Sequence, residues 1–256
     1  MHQLKRYGVS ERFWAEATLY PEGTLARVTA QYRGKYRIVT EQAALLAEVS
    51  GKLRYETEEL AQYPTVGDYV MVTVEGELAV IHRVLRRKSL FVRRAVWRVR
   101  SGSACGIQCG CGLLCMSLNQ NFSLNRMERY LSIAWDSGAT PVIVLTKADL
   151  CEDIAQAVSQ VEAISCFSDI LSLSMFDEDI RDKFAPYFAK GQTCAFIGSS
   201  GVGNPPDQLP AGHTSHFHSG DRQGGQRKAH HYRAGNVSLS VRRRGDRHSW
   251  YAGDGG

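Results

Sequence analysis

At 256 residues, with 43% hydrophobic side chains and a net charge of +5, the chain has enough apolar material for two modest cores and excludes a disordered or fibrous protein. Nothing in it approaches the roughly 20 apolar residues of a membrane span, and Met1-His2-Gln3-Leu4-Lys5-Arg6 is followed by no apolar run, so a cytoplasmic protein with no membrane partner is predicted. Residues 204–256 carry eight Arg or Lys against four Asp, which is four of the five net charges, so the global excess says little about an acidic partner.

Residues 22–94 read as short β segments. Thr24–Ala30 and Tyr36–Val39 are joined by an Arg33-Gly34-Lys35 turn, and a third segment surrounds Ala47 to Leu53. Val66–Val74 and Leu78–Val84 flank Glu75-Gly76-Glu77. Five such strands predict a small closed barrel of the OB type over residues 1–94. Arg83–Arg94 then holds six basic residues around Leu90 and Phe91, making Arg86, Arg87, Lys88, Arg93 and Arg94 candidate RNA contacts; a solvated strand end explains the run equally well.

From 116 to 203 the pattern is α/β. Leu124, Met127, Leu131 and Ala134 recur at helical spacing between a Ser123 cap and a Gly138 stop. Pro141–Leu145 and Thr193–Ile197 are continuous apolar runs suited to buried parallel strands, with helices near 153–164 and 177–188 and a strand at 170–173 between them. Beyond Gly203, six of the eight histidines and few apolar positions predict no packed core.

Three loops carry chemistry. Thr146-Lys147-Ala148-Asp149 follows a buried strand, and a carboxylate there can accept both guanine N1–H and the exocyclic amine, a donor pair adenine lacks. Ser174 closes the next strand, although Met175 stands where alanine is usual in a guanine-reading serine loop. Gly198-Ser199-Ser200-Gly201-Val202-Gly203 is the first part of a phosphate-cradling P-loop, but Asn204 and Pro205 occupy its lysine and Ser/Thr positions. Four of the seven cysteines, Cys105, Cys109, Cys111 and Cys115, cluster without a paired metal-knuckle spacing, and no metal site is assigned to them.

Guanine motif, serine loop, then P-loop is circularly permuted order. Behind an OB-like barrel it resembles the ribosome small-subunit-dependent GTPase A family. Tyr63–Val70, Arg126–Leu131 and Ser137–Leu150 support the resemblance, which covers roughly 7–94 and 116–203. It implies an α/β fold in which a barrel precedes a circularly permuted GTPase domain, here incomplete over 95–256. It also implies binding of GTP and Mg2+, hydrolysis stimulated by the small ribosomal subunit and its rRNA, a role in late subunit maturation, and a monomer. The family's C-terminal zinc domain has no counterpart in the sequence. With Asn204 and Pro205 in the P-loop, this chain is expected to be inactive.

The departures share one pattern. Back-translated and read one base later, Asp246–Gly255 yields Asp-Thr-Pro-Gly, the family's Mg2+ and γ-phosphate loop, and Lys228–Arg233 yields its switch threonines. Cys105–Leu114 becomes an apolar strand with Asn-x-Asp, and a base restored before Asn204 gives Lys-Ser-Thr. Residues 95–115 and 204–256 therefore read as out of frame. The competing readings are a non-enzymatic RNA-binding module and, from Cys105–Cys115 with the histidine-rich tail, a metal-binding protein.

Overall fold

The computed structural model describes residues 3–32, 34–57, 59–92, 106–174, 176–188, 193–198, 215–218, 230–234, 237–244 and 247–253, the last four segments as backbone. Two short helices come first, α1 (Gln3–Arg6) and α2 (Glu11–Ala17). The barrel follows: β1 (Thr24–Gln31), β2 (Tyr36–Val39), β3 (Ala44–Val49), α3 (Gly51–Glu56), β4 (Tyr69–Glu75) and β5 (Leu78–Val84). The strands close in the order β1-β2-β3-β5-β4, with β3 and β5 parallel. This is the predicted OB-like barrel with one correction: the third strand stops at Val49, because Ser50 turns the chain and its hydroxyl caps α3 by accepting from Leu53 N–H at 3.0 Å. Val28, Tyr36, Ile38, Val70, Val72 and Ile81 fill the interior, and Leu4 and Phe13 from α1 and α2 plug one end against Leu25, Tyr69 and Leu85.

The second half is a layered α/β unit. β6 (Phe91–Val92) pairs with β7 (Gly106–Ile107), and the chain then runs β8 (Cys111–Ser117), α4 (Leu124–Ser137), β9 (Thr140–Thr146), α5 (Ile154–Glu162), β10 (Asp169–Leu173), α6 (Ile180–Phe184) and β11 (Cys194–Gly198). β12 (Ser215–His218) completes a parallel sheet of order β10-β9-β8-β11-β12. Alternation along β8 and β9 sorts the core into two faces. Leu114, Met116, Ile143 and Leu145 meet Met127, Leu131 and Ala134 of α4, whereas Leu113, Cys115, Val142 and Val144 meet Phe184 and Phe196. The predicted Gly138 stop is in place, left-handed at φ 77°; Ser123 precedes α4, but its side chain makes no capping bond.

The tail departs from expectation. β13 (His230–Ala234), β14 (Val237–Arg244) and β15 (Arg247–Gly253) form an antiparallel meander. The signal was present, since Val237, Leu239 and Val241 alternate with Ser238 and Ser240 at strand period.

The barrel is joined to the sheet at Gly67, where φ is +93° and the Cβ of any larger residue would lie 2.3 Å from the Gln108 carbonyl oxygen. That proximity lets Gln108 N–H donate to Val66 O at 2.9 Å. Gly67→Ala must pay both the left-handed backbone and the clash, of order 1–3 kcal/mol each. Urea unfolding is expected to show a midpoint loss corresponding to at least about 2 kcal/mol.

Candidate nucleotide site

Parallel pairing puts the C-terminal ends of β8 to β11 on one edge. Ser117 lies opposite Thr146, Thr146 opposite Leu173, and Gly198 opposite Cys115. The connections run β8 to β9 to β10 in one direction and then return to β11 on the other side of β8. The order therefore reverses between β8 and β11, the place where open α/β sheets bind ligands.

Thr146 is buried; its Oγ1 donates to Met116 O at 3.4 Å and its carbonyl accepts from Leu118 N–H at 2.8 Å. The strand ends abruptly because Lys147 takes left-handed backbone, φ 59° and ψ 43°, and starts a tight turn over Ala148–Leu150. The turn buries Ala148 and leaves Asp149 exposed. Ser174, 25 residues on, donates from Oγ to Asp149 Oδ1 at 2.9 Å. Asp149 and Ser174, from two separate motifs, are thus in contact, with Thr146 and Lys147 leading into the same turn. A carboxylate offers about four lone-pair sites, so the serine leaves Asp149 with capacity for two further donors.

Ser174 is itself held. Its N–H donates to Asp177 Oδ2 at 3.1 Å, and its Oγ accepts from Phe176 N–H at 3.2 Å. The Asp177 carboxylate also receives Lys183 Nζ at 2.9 Å, and Lys183 reaches Asp179 at 3.0 Å. The Lys183 hydrogen bond, with help from Ser174 N–H, holds the Asp177 carboxyl below its ordinary range, and Asp177 in turn raises Lys183. The sequence reading missed Asp177; its only signal was a carboxylate three residues after the serine, the Ser-x-x-Asp spacing of a capping box. It also missed Asn119, at the end of β8 on the switch-point edge, whose Oδ1 accepts from Ser117 Oγ at 2.9 Å and Asn121 N–H at 3.0 Å.

Of the phosphate-loop candidates, Gly198 ends β11 and is buried; Ser199, Ser200, Gly201, Val202 and Gly203 lie outside the described residues. Arg86 and Lys88 are exposed just beyond the barrel, while Arg93 and Arg94 lie outside the described residues.

Arg87 must be reassigned. Its Nε and Nη2 bind the two oxygens of Asp68 at 2.8 and 2.6 Å, Nη2 also reaches Tyr63 O at 2.7 Å, and Nη1 donates to Ala61 O. Asp68 is fully buried and also takes Thr65 N–H at 2.8 Å. Planar fork geometry matched to a buried carboxylate, with four of the five N–H donors engaged inside the protein, makes Arg87 a structural clamp rather than a surface phosphate contact.

Cys109, Cys111 and Cys115 are buried free thiols, and burial pushes Cys109 and Cys115 upward, which keeps them protonated. Cys105 lies outside the described residues, among which no group of three or more His, Cys, Asp or Glu is placed to hold a metal. None of the described helices is long and apolar enough to cross a membrane.

Sequence comparison matches residues 84–205 to the RsgA GTPase family. The small ribosomal subunit biogenesis GTPase RsgA 2 of Lactiplantibacillus plantarum is 40% identical over 201 residues, 78% of this chain and 57% of that protein. RsgA 1 of Listeria monocytogenes is 38% identical over 205 residues, 78% and 56% of the two chains. The chain belongs to the RsgA GTPase family. It spans just over half the length of these relatives. In structure it is similar to YjeQ of Thermotoga maritima, with TM-score 0.58, 21% identity and coverage of 84% and 72%. YloQ, a circularly permuted GTPase, gives TM-score 0.53 at 22% identity, with coverage of 72% and 62%. The fold is therefore the barrel and permuted GTPase architecture of RsgA proteins.

Two outcomes test the site. Arg87→Met strands a buried carboxylate and is expected to cost about 3–5 kcal/mol in chemical denaturation, far more than loss of a surface RNA contact. For Asp177, whose folded value is depressed, the stabilisation is complete above the ordinary carboxylate range and is lost as pH falls through the lower folded value. Asp177→Ala is expected to abolish that acid-side dependence and loosen the Ser174 loop at neutral pH, read by amide exchange of Ser174.

Proposed function

We propose that this chain reads guanine nucleotide through Asp149, supported by Ser174, Thr146 and Lys147, and acts at the small ribosomal subunit in the cytoplasm as RsgA proteins are named to do. The observation that carries the reading is the 2.9 Å bond from Ser174 to Asp149, which joins two separately recognisable motifs into one polar site at the strand ends. Lys147, half-buried at the turn, offers its aliphatic stem as a surface for the base. The phosphates belong over Gly198–Gly203, where successive N–H groups of a glycine-rich loop cradle anions.

Mg2+ fits less well. In RsgA-type loops a Ser or Thr hydroxyl follows the lysine; Pro205 supplies neither hydroxyl nor N–H, and Asn204 supplies no cation. The residues present do not fit the metal. The chain is accordingly a guanine-nucleotide binder with negligible turnover, and a monomer. Zinc, implied by the resemblance for a C-terminal domain, meets no group of three or more His, Cys, Asp or Glu placed to hold it among the described residues. We further propose that 204–256 is read from a shifted frame. The family match ends at residue 205, beside the break inferred at Asn204. Residues 95–115 are proposed as a second such stretch, although Cys111–Cys115 pairs in the sheet. Resequencing the DNA tests both.

One feature supports a second reading, an RNA-binding module: Arg86 and Lys88 stand exposed beside an OB-like barrel. Binding to small subunits that is indifferent to GTP would favour it.

The nucleotide reading is tested in the Asn204→Lys, Pro205→Ser variant. With a lysine cation restored to the loop, GTP is expected to bind about tenfold or more tightly than to the parent chain, measured by titration, while phosphate release stays negligible because residues 228–233 and 246–255 keep the shifted frame. In that background Asp149→Asn is expected to lose a charge-assisted bidentate pair worth about 1.5–3 kcal/mol, roughly ten- to hundredfold in GTP over ATP preference. Unchanged selectivity would reduce the Thr146–Asp149 loop to a turn.

A further inference from the structure

A cleft of about 420 Å3 lies between the barrel and the N-terminal edge of the parallel sheet, at the opposite end from Asp149 and Gly198. Arg27 lines it from β1 and is only 3% exposed. Its Nε donates to Gly67 O at 3.3 Å, its Nη2 donates to Thr193 Oγ1 at 2.6 Å, and the guanidinium lies 5.1 Å from the Tyr69 ring centre. These partners are all neutral. Nη1 is buried with no partner among the described residues. Ser10 Oγ and Gln108 Oε1, on the same cleft, are also buried and unpartnered there. Lys88 adds a second cation to the wall. Among the described residues the one acidic residue lining the cleft is Asp169, and its Oδ2 accepts the Tyr187 hydroxyl at 2.7 Å; burial and then that bond push the phenol up to about 12.

A guanidinium withdrawn from water without an anion is among the more costly arrangements a fold can hold, and three orphaned polar groups on one cavity indicate a missing polar occupant. The set is specific in sign. Arg27 Nη1, Lys88 and Ser10 donate, while Gln108 Oε1 accepts. Inorganic phosphate at neutral pH matches both halves, because its oxygens accept and its remaining hydroxyl donates; in a monoester, a hydroxyl of the organic body takes the donor's place. We propose that this cleft is a phosphate site, separate from the nucleotide loops and shared between barrel and sheet. The volume leaves room for a small organic body, so free phosphate and a phosphate monoester share the chemistry. The proposal does not depend on guanine binding.

The test uses the full chain labelled with 15N, following the Arg27 side-chain Nε–H resonance, assigned by its loss in Arg27→Lys. Inorganic phosphate and glycerol phosphate are titrated separately against potassium chloride at matched ionic strength. A saturable shift with either phosphate, absent with chloride, is expected, and the tighter of the two names the source. Lys88→Met is expected to weaken that binding several-fold and Ser10→Ala about twofold. Ser10 makes no capping bond to α2, so its loss leaves the helix intact. If Arg27→Lys does not fold, these two variants carry the test by calorimetry against the unsubstituted chain, since both leave Gly198–Gly203 unchanged. A shift that follows ionic strength alone, or unchanged phosphate binding in both Lys88→Met and Ser10→Ala, overturns the proposal.

Discussion

The structure depends on β8. Cys111–Ser117 is buried along its whole length and hydrogen-bonds in parallel to β9 on one side and β11 on the other. A parallel ladder is read by main-chain groups, and its side chains need only be apolar and of fitting size. That is why Cys-Gly-Leu-Leu-Cys-Met-Ser serves as the central strand, even though part of it lies in a stretch proposed to be out of frame. The one demanding contact is steric: a Cβ at Gly112 would come within 2.9 Å of the Phe91 ring, which is buried beneath the strand. Phe91 thereby ties the end of the barrel to the centre of the sheet.

The barrel meets this sheet through a short, conformationally fixed segment. Thr65, Val66, Gly67 and Asp68 form a turn in which Asp68 accepts from Thr65 and Arg87, Gly67 N–H donates to Val28 O at 2.9 Å, and Val66 O accepts Gln108 N–H. Charge pairing, glycine backbone and interdomain hydrogen bond are consecutive in sequence, so a change at any of them moves the others. Ser89 extends the seam by accepting Cys109 N–H at 3.0 Å while donating to Cys109 O. The two halves are therefore connected by main-chain bonds whose donors and acceptors have few alternatives.

Much of this was legible in the sequence because it rests on local patterns. The barrel strands follow from alternation and from turns at Gly34 and Gly76, both of which adopt positive φ. The tight turn at Lys147–Leu150 follows from a four-residue motif after an apolar run. What escaped was non-local. Arg87 looked like a member of a basic run because sequence shows neighbours along the chain, while its partner Asp68 lies 19 residues back. Asp177 and Arg27 are single letters whose meaning comes from Ser174, Thr193 and Gly67 across the fold. The Val237–Val241 alternation was overlooked because the glycine and histidine content around it suggested no core.

The contacts that fix the base-reading half are self-contained. Thr146 is positioned by Met116, Leu118 and the flanking strands, Asp149 by Ser174, and Ser174 by Asp177 and Lys183. All of these residues lie between 116 and 183. The groups that would stabilise a transferring phosphate lie instead at and beyond 198, where the sequence leaves the family's pattern. In the proposed reading, base recognition and turnover are carried by different stretches of chain, and the shifted frame proposed after Gly203 removes the second without touching a contact of the first. Base recognition costs a carboxylate, a serine and a tight turn, whereas phosphoryl transfer requires a cation, a metal ligand and ordered N–H donors in one place. That asymmetry in demand is consistent with a Thr146–Asp149 turn held in place by Ser174 in a chain where Asn204 and Pro205 stand at the P-loop's lysine and hydroxyl positions.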